Sequence, residues 1–312
     1  MKRIPLIIST DPGIDDAAAL TISLFAQELD VRMIVATWGN VSLKHTLDNA
    51  LRLETFLKTT VPVVKGSAAP LIRDAISAAD VHGISGMVGY QFPEADLSLL
   101  KSGNAIELMH QEINKQKEKV TLVALGPLTD FALLFKQYPE DISKIDKLFI
   151  MGCNIGRGNY TPLAEYNIAC DPEAAAIVFN SGLKIVVAPL EIGRQAAILP
   201  DDMSSIKAHG RVGEMLYGIL TGINEESVSG GTEIYDATAI GMLLDPQMYT
   251  FRRAHVEIEL TGKYTYGASV IDFSDKACTK YNAEIAVAVD HKIFTDWFLK
   301  VTQSAEMEKN NG

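Results

Sequence analysis

The sequence predicts an α/β protein: a mostly parallel central sheet flanked by helices on both faces, with extra strands and helices at the C-terminal end. Three observations point there. Short apolar runs alternate with segments of helical spacing along most of the chain. The first run is apolar throughout, as in a strand buried on both faces. No repeat, low-complexity segment or Pro/Ser-rich linker interrupts the pattern. Length alone suggests two domains at about 150 residues each, but one core with C-terminal additions explains all 312 residues better, so residues 1–312 are read as a single domain.

The elements follow in order. Residues 4–8 form the first strand, and 16–25 a helix that starts just after an Asp-Pro-Gly turn. Residues 31–37 are rich in β-branched side chains and read as a second strand. Leu47, Ala50, Leu51, Phe56 and Leu57 recur at helical spacing, which makes 44–59 an amphipathic helix, and 61–64 is a third strand. Residues 66–102 are less regular, carry Gly83, Gly86 and Gly89, and are long enough to be a functional loop. Alternation resumes with helix 105–117, strand 120–125, helix 129–138 and strand 147–151. The loop 152–171 leads to Pro172, which suits the first turn of a helix over 172–180. After a strand at 184–188 the pattern changes. Residues 212–223 and 237–244 read as helices, 256–260, 268–273 and 283–289 as strands, and 293–301 as a closing helix.

Composition narrows the function. With 47% hydrophobic residues the chain has ample apolar surface to bury, which excludes a disordered protein. The net charge of −11, with no basic block, argues against nucleic acid as a partner. The apolar run after Met1-Lys2-Arg3 is too short for a signal core, and no stretch near it spans a membrane. Cys153, Cys170 and Cys278 are odd in number and lack CxxC spacing, as expected in a reducing, cytoplasmic compartment.

In parallel sheets ligands sit at the carboxyl ends of the strands, so the loops there are the place to look. After the first strand comes Ser9-Thr10-Asp11-Pro12-Gly13-Ile14-Asp15-Asp16. Carboxylates this close repel one another unless a cation holds them. Oxygen ligands without Cys or His select a hard ion, Ca²⁺ or Mg²⁺. Taken singly, Asp15 or Asp16 also suits a helix N-terminus. Trp38-Gly39-Asn40 follows the second strand, where Asn40 either orients a hydroxyl or belongs to a turn. Leu125-Gly126-Pro127-Leu128-Thr129 either exposes a backbone carbonyl or is a loop capped by Thr129. The loop with Asn159, Glu165 and Asn167 carries hydrogen-bonding groups of the kind that grip a sugar. Asp236, after Tyr235, is a helix-start residue or a distant metal ligand. There is no phosphate loop, no GxGxxG after a strand, no HExxH and no nucleophile elbow. Of six histidines, only His82 lies in a suggestive place, the Gly-rich loop.

These residues together resemble the inosine-uridine preferring nucleoside hydrolases. The resemblance begins at Asp11-Pro12-Gly13-Ile14-Asp15-Asp16-Ala17 and continues through Gly39-Asn40, His82-Gly83 and Gly126-Pro127-Leu128-Thr129. It runs on through Met151-Gly152, Asn159, Asn167-Ile168, Asp171-Pro172-Glu173-Ala174, Asp236 and the segment from Gly267 to Asp272, in the same order and over nearly the whole chain. It implies a Rossmann-like fold, a small ribonucleoside substrate, a bound Ca²⁺ and release of ribose and free base in nucleoside salvage. It also implies a homodimer or homotetramer. Carried over by residue, Asp11, Asp15, Asp16 and Asp236 are metal ligands through carboxylates and Leu125 through its carbonyl. Asp11 is also the base that takes a proton from the attacking water. Asp15 adds a contact to the 2′-hydroxyl, and its role and that of Asp16 are shared or exchanged. Asn40 and Asn167 hold the 2′- and 3′-hydroxyls, Asn159 and Glu165 the 5′-hydroxyl, and His82 belongs to the substrate-binding set.

Some positions depart from the family pattern. Ser9 stands in place of an Asp, Cys153 of a Gly and Tyr166 of a Phe, and Gly193-Arg194 also differs. Tyr235 replaces a His proposed as the acid for the leaving base, and a phenol near pKa 10 is a weaker donor. Tyr217 either stacks on the base or packs in the core. Two other readings stand beside hydrolysis: a non-catalytic riboside-binding protein, favoured by Tyr235, and a metal-dependent phosphatase, disfavoured by Ser9. The acidic surplus acquires a place, since Asp11, Asp15, Asp16, Glu165 and Asp236 converge on one pocket where one Ca²⁺ offsets two charges.

Overall fold

Side-chain alternation along the first strand divides the molecule into two cores. In β1 (Ile4–Thr10), Leu6 and Ile8 enter one apolar cluster and Ile7 enters the other. A strand with both faces covered must be apolar on both, which is why its sequence does not alternate. The structure is a computed structural model and describes residues 2–222, 231–274 and 280–311, with 306–311 as backbone only. Cys278 and Ile223, at the end of one expected helix, lie outside the described residues.

One sheet of ten strands runs through the molecule. Its strands after β1 are β2 (Leu29–Ala36), β3 (Val63–Lys65), β4 (Leu100–Lys101), β5 (Val120–Ala124), β6 (Ile145–Met151), β7 (Ile185–Ala188), β8 (Tyr249–Ile258), β9 (Ser269–Asp272) and β10 (Ala283–Val289). The order is β4-β3-β2-β1-β5-β6-β7-β10-β8-β9. All neighbours pair in parallel except β10 with β8 and β8 with β9. The C-terminal strands therefore extend the same sheet.

Among the described residues twelve α-helices cover it: α1 (Ile14–Phe25), α2 (Leu43–Leu57), α3 (Ala79–His82), α4 (Ala105–Lys115), α5 (Thr129–Gln137), α6 (Tyr166–Cys170), α7 (Pro172–Phe179), α8 (Leu190–Gln195), α9 (Pro200–Lys207), α10 (Gly210–Thr221), α11 (Asp236–Leu244) and α12 (His291–Asn311). On one face α1, α2 and α8 to α12 pack around Leu20, Phe56, Ile240 and Phe298. On the other, α4, α5 and α7 pack around Met109, Phe131 and Phe179. Among the described residues, no helix is long and apolar enough to cross a membrane.

The sequence reading missed α3, β4, α6, α8 and α9, each at most eight residues long. Elements this short show too few turns for a period to register. Strand β8 begins seven residues before the expected start because exposed Arg252 and Arg253 break the apolar run.

The strand order reverses at β1, which has β2 on one side and β5 on the other. At such a point the connections leave in opposite directions and open a crevice at the strands' carboxyl ends. Asp11, Asn40 and Leu125 all emerge there.

Candidate active site

Asp11 is the first residue beyond β1 and is fully buried. Its Oδ2 accepts the Asn40 backbone N–H at 2.6 Å, while its Oδ1 has no partner among the described residues. The Asn40 side chain also donates to the Asp11 carbonyl at 3.1 Å. Two glycines leave room for the carboxylate. A Cβ on Gly39 would lie 2.0 Å from Oδ2, and one on Gly126 2.2 Å from Oδ1.

The Pro12-Gly13 turn feeds α1. Asp16 reaches back from the third helical position to the Gly13 N–H at 2.9 Å, satisfying one of the donors that a helix start leaves open. Asp16 also accepts the Thr10 hydroxyl at 2.5 Å and the Asn40 amide at 3.3 Å. Asp15 is half-buried beside it, and Asp236 begins α11, buried. One carboxylate oxygen from each of Asp15, Asp16 and Asp236 lies within 4.8 Å of the others. Asp236 is thus both a helix-start residue and part of the acid cluster.

Electrostatics follows from this crowding. Burial first, then the neighbouring carboxylates, pushes Asp11, Asp15 and Asp236 above the ordinary carboxylate range. The orphaned Asp11 oxygen, the oxygen-only donor set and the mutual repulsion fit a hard divalent cation. The Leu125 carbonyl lies just beyond β5 in the same crevice and accepts the Asn167 amide at 2.8 Å, which leaves it a second lone pair.

The long loop after β6 supplies the other side. Glu165 caps α6: Oε1 accepts the Asn167 N–H at 2.9 Å, and Oε2 accepts those of Ile168 and Cys153 at 3.1 and 3.2 Å. Burial still pushes its carboxyl up to about 7. The Asn167 side chain ties Leu125 to the Met151 carbonyl, 3.1 Å away, and so joins the ends of β5 and β6. Asn159 is exposed, and its Oδ1 accepts the Tyr166 N–H at 2.8 Å.

His82 ends α3 and is half-buried; its Nδ1 accepts the Ile14 N–H at 3.3 Å, which lays the ring against the Pro12-Gly13 turn. The Tyr235 hydroxyl donates to Glu233. Burial and Glu233 push that phenol well above its usual value, making it a poor acid. Its ring lies on α8 where a Cβ at Gly193 would come within 2.0 Å, which accounts for the unusual glycine there. Tyr217 is half-buried against the core, with the Lys207 ammonium 4.9 Å from its ring centre.

Four contributors were given no role by the sequence, in which Tyr166 stood out only as a replacement for a Phe. Thr10 holds Asp16, and Tyr166 donates to the Gly39 carbonyl. Asn49 donates to the Pro12 and Ser85 carbonyls at 2.9 and 2.7 Å, tying the turn to the Gly-rich loop. Asn154 is buried near the end of β6, and its Oδ1 has no partner among the described residues. Only Asn49 left a signal, as a polar residue beside Ala50 and Leu51 on the apolar side of α2.

Known proteins match this chain. The family model described as inosine-uridine preferring nucleoside hydrolase matches residues 6–296. The non-specific ribonucleoside hydrolase RihC of Klebsiella pneumoniae subsp. pneumoniae is 41% identical over 299 residues, covering 96% of this chain and 98% of its own. That of Salmonella typhimurium is 42% identical over 296 residues, covering 95% and 96%. Among solved structures, a plant nucleoside hydrolase superposes with a TM-score of 0.87 at 28% identity, over 96% of this chain and 99% of its own. The purine-preferring ribonucleoside hydrolase of Gardnerella vaginalis shares the fold, with a TM-score of 0.89 at 24% identity over 97% and 99%. The chain belongs to the inosine-uridine preferring nucleoside hydrolase family, enzymes that hydrolyse the N-glycosidic bond of ribonucleosides.

Proposed function

We propose that this ribonucleoside hydrolase acts on both purine and pyrimidine nucleosides in nucleoside salvage, with one Ca²⁺ held by Asp11, Asp15, Asp16, Asp236 and the Leu125 carbonyl. The observation that carries this reading is the buried, unpartnered Oδ1 of Asp11 beside three further carboxylates. A bound Ca²⁺ supplies charge compensation, orients a vicinal diol and acidifies water.

The chain's own groups do the rest. Asp11 is the base: Asn40 fixes Oδ2, so Oδ1 is the atom free to take a proton from the attacking water. Asp15, Asn40 and Asn167 hold the 2′- and 3′-hydroxyls. Asn159 and Glu165 hold the 5′-hydroxyl, with the Asn159 amide nitrogen and the second lone pair of Glu165 Oε1 as the groups to spare. Fixing the sugar at three hydroxyls contributes positioning, and the carboxylates stabilise an oxocarbenium-like transition state. Tyr235 keeps its proton and shapes the pocket, and His82, against the Pro12-Gly13 turn, belongs to the substrate-binding set. Breadth towards the base accords with relatives named non-specific. We read the chain as a cytoplasmic homodimer or homotetramer.

Release of reducing sugar from inosine, adenosine, uridine and cytidine, with and without a strong chelator, tests this. Chelation should stop release from all four and Ca²⁺ should restore it. Undiminished release after complete metal removal would sink the cation's role.

A further inference from the structure

We propose that Tyr166 is a positioning residue that couples the sugar-binding loop to the Asp11 carboxylate through the Gly39-Asn40 peptide. The inference rests on the reading of Asp11 as base and metal ligand. A single hydrogen bond spans 127 residues: the Tyr166 hydroxyl donates to the Gly39 carbonyl at 2.9 Å. The next backbone N–H, that of Asn40, grips Asp11 Oδ2 at 2.6 Å. That carbonyl and that N–H belong to one rigid peptide plane, so orienting one group orients the other.

Tyr166 is itself held by the sugar-binding loop. It is the first residue of α6, directly between Glu165 and Asn167. Its backbone N–H is taken by Asn159, and its ring meets Tyr160 edge-on at 5.8 Å. Asn159 therefore holds the Tyr166 backbone and Tyr160 its ring, with Glu165 and Asn167 on either side in the chain, and the hydroxyl transmits that position to the peptide clamping Asp11. The Asp11 carboxylate has little other support, since Oδ1 is unpartnered and glycines line both sides. Loss of the hydroxyl frees the Gly39-Asn40 peptide to rotate, and Asp11 with it.

The test is Tyr166→Phe, which keeps the ring and removes one oxygen. Four quantities are measured: kcat and KM for uridine, Ca²⁺ affinity by calorimetry without substrate, and Tm. The expected result is kcat lower by about tenfold, KM within about twofold, and Ca²⁺ binding weaker by about threefold, as loss of one well-placed hydrogen bond implies. Tm should hardly change. Unchanged kcat and Ca²⁺ affinity, or a rise in KM alone, would overturn the coupling. Asp11→Ala is assayed alongside. An active Asp11→Ala enzyme overturns the role of Asp11 and the coupling with it, whereas an inactive one beside an unaltered Tyr166→Phe enzyme overturns the coupling alone.

Discussion

Oδ1 of Asp11 lies where a Cβ on Gly126 would come within 2.2 Å of it. Gly126 follows the carboxyl end of β5, next to the end of β1, so the two strands hold their backbones close enough that only a glycine fits. On the proposed reading of Asp11 as base the distance bears on catalysis as well as packing, because Oδ1 is the carboxylate oxygen without a partner among the described residues.

Gly126→Ala should therefore displace Asp11 rather than unfold the protein. Overpacking of this kind costs about 1–3 kcal/mol of stability. A misplaced base costs about 100-fold in rate. Thermal melts and steady-state kinetics on uridine separate the two effects. An Ala variant with full kcat would show that Asp11 tolerates movement and is not the base.

The acid cluster gives a second expectation. Burial raises the carboxyl pKa values of Asp11, Asp15 and Asp236 above their unfolded values. The stability these groups contribute is complete below the unfolded carboxylate range and is lost as pH rises through the folded values. The metal-free protein should thus weaken as pH climbs above that range, and saturating Ca²⁺ should reverse the loss. At 100 times Kd the cation adds about 3 kcal/mol. Asp11→Asn should raise the Tm of chelated protein at pH 8 while abolishing hydrolysis. A Tm that ignores both chelator and Ca²⁺ would contradict the assignment.

Glu54 offers a pH test away from the site. It is buried on α2, its Oε2 accepts the Val61 N–H at 3.2 Å, and its Oε1 has no partner among the described residues. Burial pushes its carboxyl from 4.5 up to about 7. Because the folded value is the higher one, its stabilising contribution is complete below pH 4.5 and gone above about pH 7. Glu54→Gln keeps the acceptor for Val61 and removes the titration. Urea melts at pH 4.5 and pH 8 should show the variant gaining about 3 kcal/mol over wild type between those limits. A pH-independent difference would show that Glu54 is not forced to ionise on the way.

These cases show what a linear reading could see. Asp11, Asp15 and Asp16 stood out because acidic residues crowd directly behind an apolar strand. Asn159, Glu165 and Asn167 stood out because one loop carries all three. Most of the sheet was legible through local pattern, since every strand of five or more residues except β8 carries an apolar run. Contacts made across the crevice were not legible. The bond from Tyr166 to Gly39 and the fit of Asp11 against Gly126 depend on strand order, which no local pattern encodes. The capping role of Glu165 was hidden because α6 has only five residues. Tyr235 looked like a substitute acid, but Glu233 and Gly193 determine where its hydroxyl and ring go, and both act through space.

Charge at the proposed site should also select among substrates. Asp11, Asp16, Asp236 and Glu165 are buried and Asp15 half-buried, so water screens them poorly. The proposed Ca²⁺ would offset two of the five charges these carboxylates carry when all are ionised. A 5′-phosphate would arrive beside Glu165, whose two oxygens already accept three backbone N–H groups and offer no positive partner. Uridine should therefore be hydrolysed with kcat/KM at least about 100-fold above that of uridine 5′-monophosphate, a gap of about 3 kcal/mol. Part of the gap is long-range repulsion, so raising the salt concentration should narrow it, chiefly through the KM of the nucleotide. Glu165→Gln removes the charge nearest the 5′ end and should narrow it further, while lowering the rate on uridine. Comparable hydrolysis of nucleoside and monophosphate at low salt would mean that the 5′ end of the substrate points away from Glu165, and the sugar would have to be placed in the crevice the other way round.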